Sequence, residues 1–269
     1  MNRSDVQGSY TLGSFQDNEA ELIRLQKQAS IALKMEQFFW THLVDRTDIN
    51  VLDIGCGPGI ITNAFANYCE EGTVVGLDYN NVMVEMCNSN AEYMQKKNLS
   101  FVQGDIKNIE IDISKFDLLY CRFLFQHIRE AQSVFDDLIC KQKTGSKICV
   151  IDIDDRWLAL LPEPRFFRKF VMRAEKAQYE KGGDRFIGSK IAGYLETAGY
   201  HDVTTELHML DTNMVHISDL LDMIINYKYQ LVDGAFEAEI VQEREEILNI
   251  MEHKYVWGGV GIFATYGTK

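Results

Sequence analysis

A run of apolar residues that ends in three closely spaced glycines constrains this chain more than any other stretch. Residues 51–59 read V-L-D-I-G-C-G-P-G. An apolar run bounded by glycine predicts a buried strand that enters a tight turn, because glycine readily adopts positive φ. We expect a helix from about residue 60, so that its first N–H groups face the turn. The stretch therefore predicts a nucleotide-type pocket at the carboxyl end of the first strand of an α/β sheet.

Strand and helix patterns alternate along most of the chain. Apolar and β-branched runs predict further strands at residues 73–78, 100–103, 116–121, 147–152, 202–210 and 255–266. The intervening stretches predict helices at about 60–70, 81–97, 130–142 and 189–198. This alternation indicates an α/β fold with a mostly parallel seven-stranded sheet and helices on both faces.

The N-terminal part, residues 1–46, is predicted to be a cap segment followed by a helix. Asn18 and Glu21 form a capping box at the start of that helix. Its apolar residues recur at three- and four-residue spacing, which favours packing on the sheet. This stripe consists of Leu22, Leu25, Ala29, Ala32, Met35, Phe39 and Leu43.

The remaining residues, 47–269, are predicted to form the main domain. The strand pattern loosens at about 156–187 and 213–253, where helical patterns dominate. Both segments interrupt the sheet near its ligand-bearing edge, where inserted elements often cover a substrate. We therefore expect the two helical insertions to form a substrate lid.

The charge of the chain bears on its partners. A formal net charge of −13 argues against nucleic acid, because phosphate binding needs clustered Lys and Arg. A basic group at Arg165, Arg168, Lys169 and Arg173 is interpreted as a solvated helix face. No apolar run approaches the length of a membrane span, so no membrane partner is expected.

The cysteines and the first residues of the chain indicate the cellular compartment in which the protein is expected. The six cysteines form no C-x-x-C pair, and the opening segment is polar without an apolar core. These features favour a reducing cytoplasm and unpaired thiols. The sequence leaves a monomer and a homodimer equally open.

Polar residues follow the predicted parallel strands. Since the carboxyl ends of parallel strands meet at one edge, these side chains are expected to converge on one crevice. The set comprises Asp53, Asp78, Asp105, Cys121, Arg122 and Asp152. Asp78 lies nearly twenty residues after Gly59, which is about the spacing of an acid that binds ribose hydroxyls.

Several motifs in order resemble those of class I S-adenosylmethionine-dependent methyltransferases. The first is the glycine stretch at 51–59, and the second is V-G-L-D at 75–78. They are followed by Q-G-D-I at 103–106 and by F-D-L-L-Y-C at 116–121 with F-Q-H-I just beyond. The resemblance covers about residues 48–155 and implies a Rossmann-like fold that binds S-adenosylmethionine and releases S-adenosylhomocysteine.

The resemblance also implies a role for each matching position. Gly55, Cys56 and Gly57 would lie along the methionine part of the cofactor, with Asp53 ordering the loop and the amino group. Asp78 would hold the ribose, Tyr79 or Met83 would pack on the adenine, and Gly104, Asp105 and Ile106 would bind the adenine edge. Cys121, with Arg122 after it, would offer backbone contacts to the methionine end. Tyr10 and Arg24 would close over the cofactor.

The chemistry implied by the resemblance is in-line displacement of a methyl group from sulfur onto a small-molecule acceptor. Proximity and exclusion of water can supply most of the acceleration. His127 is the candidate general base, since a histidine titrates near neutrality. A histidine that only shapes the pocket or bonds to the backbone is the alternative, because methyl transfer can proceed without a base.

Other readings remain open at this point. A Mg²⁺ site at Asp152, Asp154 and Asp155 is disfavoured, because strand four ends in Cys121 and Arg122 rather than in an acid. No metal is therefore expected. The functional alternatives are a catalytically silent sensor or scaffold that binds the cofactor, a nucleic-acid or protein methyltransferase, and a nicotinamide-dependent oxidoreductase. A line of aromatics could surround the acceptor: Phe123, Phe125, Trp157, Phe166, Phe167, Tyr227 and Trp257.

Overall fold

The structure, a computed structural model, describes residues 18–90, 92–232 and 237–269. The strands are β1 (Val51–Ile54), β2 (Val74–Asp78), β3 (Leu99–Gln103), β4 (Leu118–Arg122), β5 (Lys147–Leu161), β6 (His201–Asp211) and β7 (Trp257–Thr268). The helices are α1 (Asn18–Leu43), α2 (Ile60–Tyr68), α3 (Asn81–Ser89), α4 (Ala131–Lys141), α5 (Phe167–Glu180), α6 (Ile191–Ala198), α7 (Ile217–Leu221), α8 (Tyr227–Leu231) and α9 (Ala238–Leu248). A π-helical turn, Asp222–Asn226, joins α7 to α8.

The strands form one seven-stranded sheet in the order β3-β2-β1-β4-β5-β7-β6. The first five strands of that order are parallel to one another, and β7 runs antiparallel to both of its neighbours. The chain order reverses between β1 and β4, which is where open α/β sheets bind ligands. The predicted mostly parallel seven-stranded α/β fold is confirmed.

Both faces of the sheet are covered, as the sequence predicts. Successive residues of β1 point to opposite faces, so Val51 packs in one hydrophobic cluster and Leu52 in the other. One cluster joins the sheet to α1, α2, α5 and the helices after β6, and the other joins it to α4 and α6. All four residues of β1 are buried, which fits a central parallel strand.

Helix α1 packs against the sheet through a face that includes two residues outside the predicted stripe. Ala29, Ala32 and Leu43 are buried, as expected, but Glu36 and Trp40 share their face. The Trp40 ring stacks on Phe65 of α2 with centroids 4.1 Å apart. The side chains of Met35 and Phe39, which belong to the predicted stripe, lie outside the described residues.

The first predicted insertion begins later than expected. The insertion was predicted at about 156–187, but β5 continues to Leu161 because it pairs with the start of β7 beyond a bulge. Helical structure starts only at α5, after two prolines. The helix predicted at 81–97 is also shorter, since α3 ends at Ser89 and a single 3-10 turn follows at Tyr93–Gln95.

The second predicted insertion is helical through α7, the π-helical turn, α8 and α9. Lys27 of α1 forms an ion pair of 2.7 Å with Asp219 of α7, so this insertion is joined to the N-terminal helix. Over the part of the chain that the structure describes, no helix is long and apolar enough to cross a membrane.

Candidate active site

A cavity of about 1260 Å³ opens at the carboxyl ends of β1, β2 and β4. Its floor is the sheet edge and the glycine loop, and residues of α1, the π-helical turn and α8 also line it. Most of the predicted site residues lie on its surface: Arg24, Asp53, Gly55, Cys56, Gly57, Asp78, Tyr79, Met83, Gly104, Asp105, Ile106, Arg122 and His127. Their roles in binding remain predictions. Tyr10 lies outside the described residues.

Asp78, at the end of β2, binds the backbone of the glycine loop. Asp78 Oδ2 accepts a 2.8 Å hydrogen bond from the Gly57 N–H, and its Oδ1 accepts one of 2.8 Å from the Asn80 N–H. Gly57 has φ +51°, and a Cβ there would meet no atom within 4 Å, so its inner side faces open cavity. A ligand can approach bare backbone at this point.

Burial affects the carboxyl of Asp78 and the thiol of Cys56. Desolvation raises the pKa of Asp78, and the two backbone N–H donors partly oppose the rise. Desolvation likewise raises the pKa of the Cys56 thiol well above its ordinary value, with the Asp78 and Asp53 charges adding to it. Cys56 is therefore a neutral thiol in the loop rather than a thiolate nucleophile.

Asp53 lies beneath the glycine loop and is almost fully buried. Its Oδ2 accepts a 2.6 Å hydrogen bond from the Thr62 hydroxyl of α2. Burial raises the pKa of Asp53 to about 7, although the Thr62 bond and the Arg122 charge oppose the rise. The side chain thus ties β1 to α2 and fixes the loop between them, which supports the loop-ordering role implied by the resemblance.

Arg122 at the end of β4 reaches across to α1. Its Nε donates a 2.6 Å hydrogen bond to Glu36 Oε1, and the Tyr120 hydroxyl donates one of 2.8 Å to Glu36 Oε2. The guanidinium also stacks over the Phe123 ring at 4.2 Å from its centroid. Glu36 is fully buried, so this bridge anchors the N-terminal helix to the end of β4.

The opposite side of the loop is lined by the residues expected to hold adenosine. Tyr79 is 55% exposed and Met83 is buried, and both border the cavity. Asp105 forms a turn in which its Oδ1 accepts a 2.9 Å hydrogen bond from the Lys107 N–H. The Gly104 N–H donates to the Asp78 carbonyl at 3.0 Å, which brings this turn next to the end of β2.

Two residues predicted to converge on the crevice do not line the cavity. The Cys121 side chain is fully buried and packs in the core on the α4 and α6 face. Asp152 is also fully buried, and its carboxylate accepts hydrogen bonds from the backbone N–H groups of Gln126 and Ile153. The prediction was wrong for both side chains, because alternate residues of a strand point to opposite faces.

His127 follows β4 in a 3-10 turn and lines the cavity. Its Nδ1 is 3.4 Å from Gln178 Nε2. Burial lowers the pKa of His127 to about 3, and the positive charges of Arg185 and Arg24 add to this effect. A histidine with so low a pKa is a weak general base near neutrality, so the environment favours a neutral imidazole that shapes the pocket.

The buried His127 predicts how stability depends on pH. In the unfolded chain this histidine takes up a proton near pH 6.5, but in the folded chain only near pH 3. Between these values the unfolded state binds more protons, so its contribution makes the free energy of unfolding fall as pH falls. Urea unfolding measures how much the free energy of unfolding falls between pH 7.5 and pH 5.5. This fall should be about 1.4 kcal/mol smaller in His127→Gln than in the unmodified chain.

The control for that measurement is His253→Gln, which changes an exposed histidine. This histidine does not line the cavity, so the variant shows how far a histidine replacement by itself alters the measurement. Equal pH dependence in His127→Gln and the unmodified chain would contradict the buried, neutral state of His127.

A cluster of polar side chains that the sequence did not single out lies beside His127. This Asp155 cluster consists of Gln126, Asp155, Arg185 and Lys228, and all four line the cavity. Asp155 had been considered only as a metal ligand. In the sequence, Lys228 was the residue that could have revealed this cluster, because a cation one helical turn after the buried Ile224 falls on a buried helix face.

The rest of the wall at this end is apolar. It consists of Ile153, Leu158, Leu210, Met223, Ile224, Val260 and Ile262. Of the aromatics predicted to surround the acceptor, Phe123 and Tyr227 line the cavity. Phe125 and Phe167 are core residues with no exposed surface, and Trp157 is 47% exposed. Neither α5 nor α9 supplies a lining residue in the described part of the chain.

Among residues 18–90, 92–232 and 237–269, no group of three or more His, Cys, Asp or Glu side chains could hold a metal ion. Asp154 is paired with Arg156, and Asp155 with Arg185 and Lys228. Two of the three acids that had been considered for Mg²⁺, Asp154 and Asp155, therefore have cationic partners, which disfavours a metal there.

Comparison with known proteins identifies the family. Residues 45–198, more than half of the chain, match the family described as Methyltransferase domain. The chain belongs to this methyltransferase family. The resemblance inferred from the motifs is confirmed, and the cofactor that the family implies is S-adenosylmethionine. Family membership also weakens the nicotinamide-dependent alternative.

Individual relatives agree with this assignment. A ubiquinone biosynthesis O-methyltransferase of Coxiella burnetii (strain RSA 493) is 26% identical over 153 residues, which are 51% of this chain and 64% of that protein. The putative methyltransferase 235L of invertebrate iridescent virus 6 is 32% identical over 113 residues, covering 42% of this methyltransferase and 40% of the viral one. The alignments therefore span less than two thirds of these relatives.

Solved structures share the fold. The YcgJ protein of Bacillus subtilis superposes with a TM-score of 0.57 at 18% identity, covering 83% of this methyltransferase and 93% of YcgJ. Haemonchus contortus phosphoethanolamine N-methyltransferase 2 was solved with phosphomonomethylethanolamine and S-adenosylhomocysteine. It superposes with a TM-score of 0.53 at 14% identity, covering 83% of this methyltransferase and 49% of the Haemonchus chain. At such identities the likeness concerns the fold alone.

Proposed function

We propose that this methyltransferase transfers a methyl group from S-adenosylmethionine to a small organic acceptor. The observation that carries the proposal is one continuous cavity with two chemically different ends. The glycine loop, Asp78 and Asp105 line one end, and the other is mainly apolar with the Asp155 cluster beside it. Its volume of about 1260 Å³ exceeds the usual upper size of about 1,000 Å³ for a single-ligand pocket. Two molecules can therefore lie end to end.

The residues at the glycine-loop end fit the cofactor. The open inner side of Gly57 leaves room for the methionine part, and Asp78 keeps lone pairs that can accept hydrogen bonds from ribose hydroxyls. Tyr79 and Met83 offer apolar surfaces to an adenine ring, and Asp105 offers an acceptor to its amino group. When bound, S-adenosylmethionine supplies a methyl group that is already activated by its positively charged sulfur.

The chain itself contributes position and shielding. The loop and Asp78 would fix the cofactor, while the apolar wall with Leu158, Met223 and Ile262 would hold an acceptor in line with the reacting bond. Holding two reactants at near-attack distance can contribute about 7–11 kcal/mol to lowering the barrier. Residues of α1 and α8 line the side away from the sheet and would exclude water. A dedicated base is not required by this arrangement.

Labelled methyl transfer tests the proposal. The full chain would be incubated with S-adenosylmethionine carrying a labelled methyl group and a panel of small organic acceptors, with RNA, DNA and protein mixtures in parallel. We expect label in small molecules. Label only in a macromolecule would contradict the proposal, and binding of S-adenosylhomocysteine without any transfer would favour the sensor alternative. A cytoplasmic location and a monomeric or homodimeric state remain predictions.

A further inference from the structure

The Asp155 cluster brings two cations to the acceptor end of the cavity. Arg185 binds Asp155 through two hydrogen bonds of 2.9 Å, from its Nε to Oδ2 and from its NH2 group to Oδ1. It also donates to Gln126 Oε1. Lys228 Nζ donates a 2.5 Å hydrogen bond to Asp155 Oδ2. The side chains of Asp155 and Lys228 are 1% exposed, and that of Arg185 is 7% exposed.

The charges in this cluster do not balance. Among the described residues, Arg185 and Lys228 both meet the single carboxylate of Asp155. Burial favours a neutral Asp155, but the two cations outweigh it and hold its pKa at about 2, so the acid carries a full charge. Burial and the Arg185 charge lower the pKa of Lys228 to about 8, so near neutrality the lysine is mainly charged.

Other charged groups act on this cluster. Asp152 and Glu175 do so from outside the cavity lining, and burial raises the pKa of both carboxyls, which favours their neutral forms. His127, beside the cluster, is neutral. A buried cation without a matching anion is costly, so the site is suited to receive negative charge from a ligand.

The apolar wall adjoins these cations directly. Ile224 lies one helical turn before Lys228 on the same helical segment, and Leu158 follows three residues after Asp155 on β5. Both are part of the cavity lining. A ligand that reaches the cations therefore has an apolar surface along its path.

We propose that the methyl acceptor carries an anionic group, a carboxylate or a phosphate, which binds Arg185 and Lys228, and an apolar body, which packs on the wall with Leu158 and Ile224. This inference rests on the proposed function, since it concerns the acceptor end of the same cavity. Asp155 already occupies the Nε side of the Arg185 guanidinium, so the anion would meet its remaining N–H groups and the point charge of the Lys228 ammonium. The alternative is a purely structural ion network that ties β5 to α8.

Calorimetry with small probe molecules distinguishes an anion-binding site from a purely structural ion network. The full chain is first titrated with S-adenosylhomocysteine alone, and the loaded protein is then titrated with benzoate, phenyl phosphate and neutral benzyl alcohol. We expect at least one anion to bind at least tenfold more tightly than benzyl alcohol. The anion that binds more tightly identifies carboxylate or phosphate as the favoured group.

The variant Lys228→Met tests the cluster itself. It leaves Arg185 and Asp155 as a one-to-one pair, so the fold should persist, and we expect anion binding to weaken at least tenfold with little change for benzyl alcohol. Lys190→Met is the matched control, because that lysine forms an exposed ion pair with Asp184 and does not line the cavity. It should bind all three probes like the unmodified chain.

Two results would overturn the inference. One is benzyl alcohol binding as tightly as both anions, and the other is unchanged anion binding in Lys228→Met. Either can occur while S-adenosylhomocysteine binds normally, which would leave the proposed function intact. Absence of S-adenosylhomocysteine binding in the first titration would instead contradict the proposed function.

Discussion

Replacing Asp78 with alanine is expected to weaken binding of S-adenosylhomocysteine by more than tenfold. The variant would lose the acceptor for ribose hydroxyls, and hydrogen bonds to a charged group contribute about 1.5–3 kcal/mol each. It would also leave the Gly57 and Asn80 N–H groups without the carboxylate that now accepts from them. The glycine loop would then be less well ordered for the cofactor. Calorimetry with S-adenosylhomocysteine measures the effect.

A second aspartate provides the control for this prediction. Asp112 accepts from the Ser114 N–H in a similar short turn but lies away from the cavity lining. Asp112→Ala should bind S-adenosylhomocysteine as the unmodified chain does. Equal affinities in Asp78→Ala and Asp112→Ala, with both variants folded, would remove the ribose assignment.

Replacing Asp155 with alanine is expected to lower the free energy of unfolding by about 3–5 kcal/mol. Removal of one partner from a buried ion cluster leaves the remaining charges uncompensated, which costs far more than loss of an exposed pair. Here both Arg185 and Lys228 would lose the carboxylate that they share. Denaturant unfolding of the full chain at neutral pH measures the loss.

An exposed ion pair is the matched comparison. Glu163 and Arg168 are paired at 2.9 Å, with side chains 44% and 50% exposed. Glu163→Ala should cost about 1 kcal/mol or less, because water and salt screen such a pair. A loss in Asp155→Ala as small as that in Glu163→Ala would show that the cluster is better hydrated than the structure indicates.

The glycine-loop end of the cavity was predictable because its determinants are local in sequence. The strand, the turn and the following helix occur within residues 51–68, and the turn needs glycine for its positive φ values. Asp78 could be placed because β2 follows after one helix and pairs in register with β1. The family resemblance then supplied the expected chemistry.

The end of the cavity beside the Asp155 cluster could not be predicted in the same way. Gln126 and Arg185 meet across 59 positions of sequence, and Asp155 and Lys228 across 73. No local periodicity encodes such contacts. The register of β5 with β7 also decides which residues of β5 face the cavity, and residues 156–161, assigned from the sequence to the helical insertion, extend β5. The contacts of Glu36 could not be predicted for the same reason, since its partners Tyr120 and Arg122 lie far away in sequence and come close only in the folded chain.

The crystal structure of the full chain with S-adenosylhomocysteine tests the central claim most directly. We predict ribose hydroxyls on Asp78, the adenine between Met83 and Asp105, and the sulfur directed toward the end lined by His127 and the Asp155 cluster. A nucleoside bound away from the glycine loop, or a sulfur directed away from the apolar end, would contradict the account.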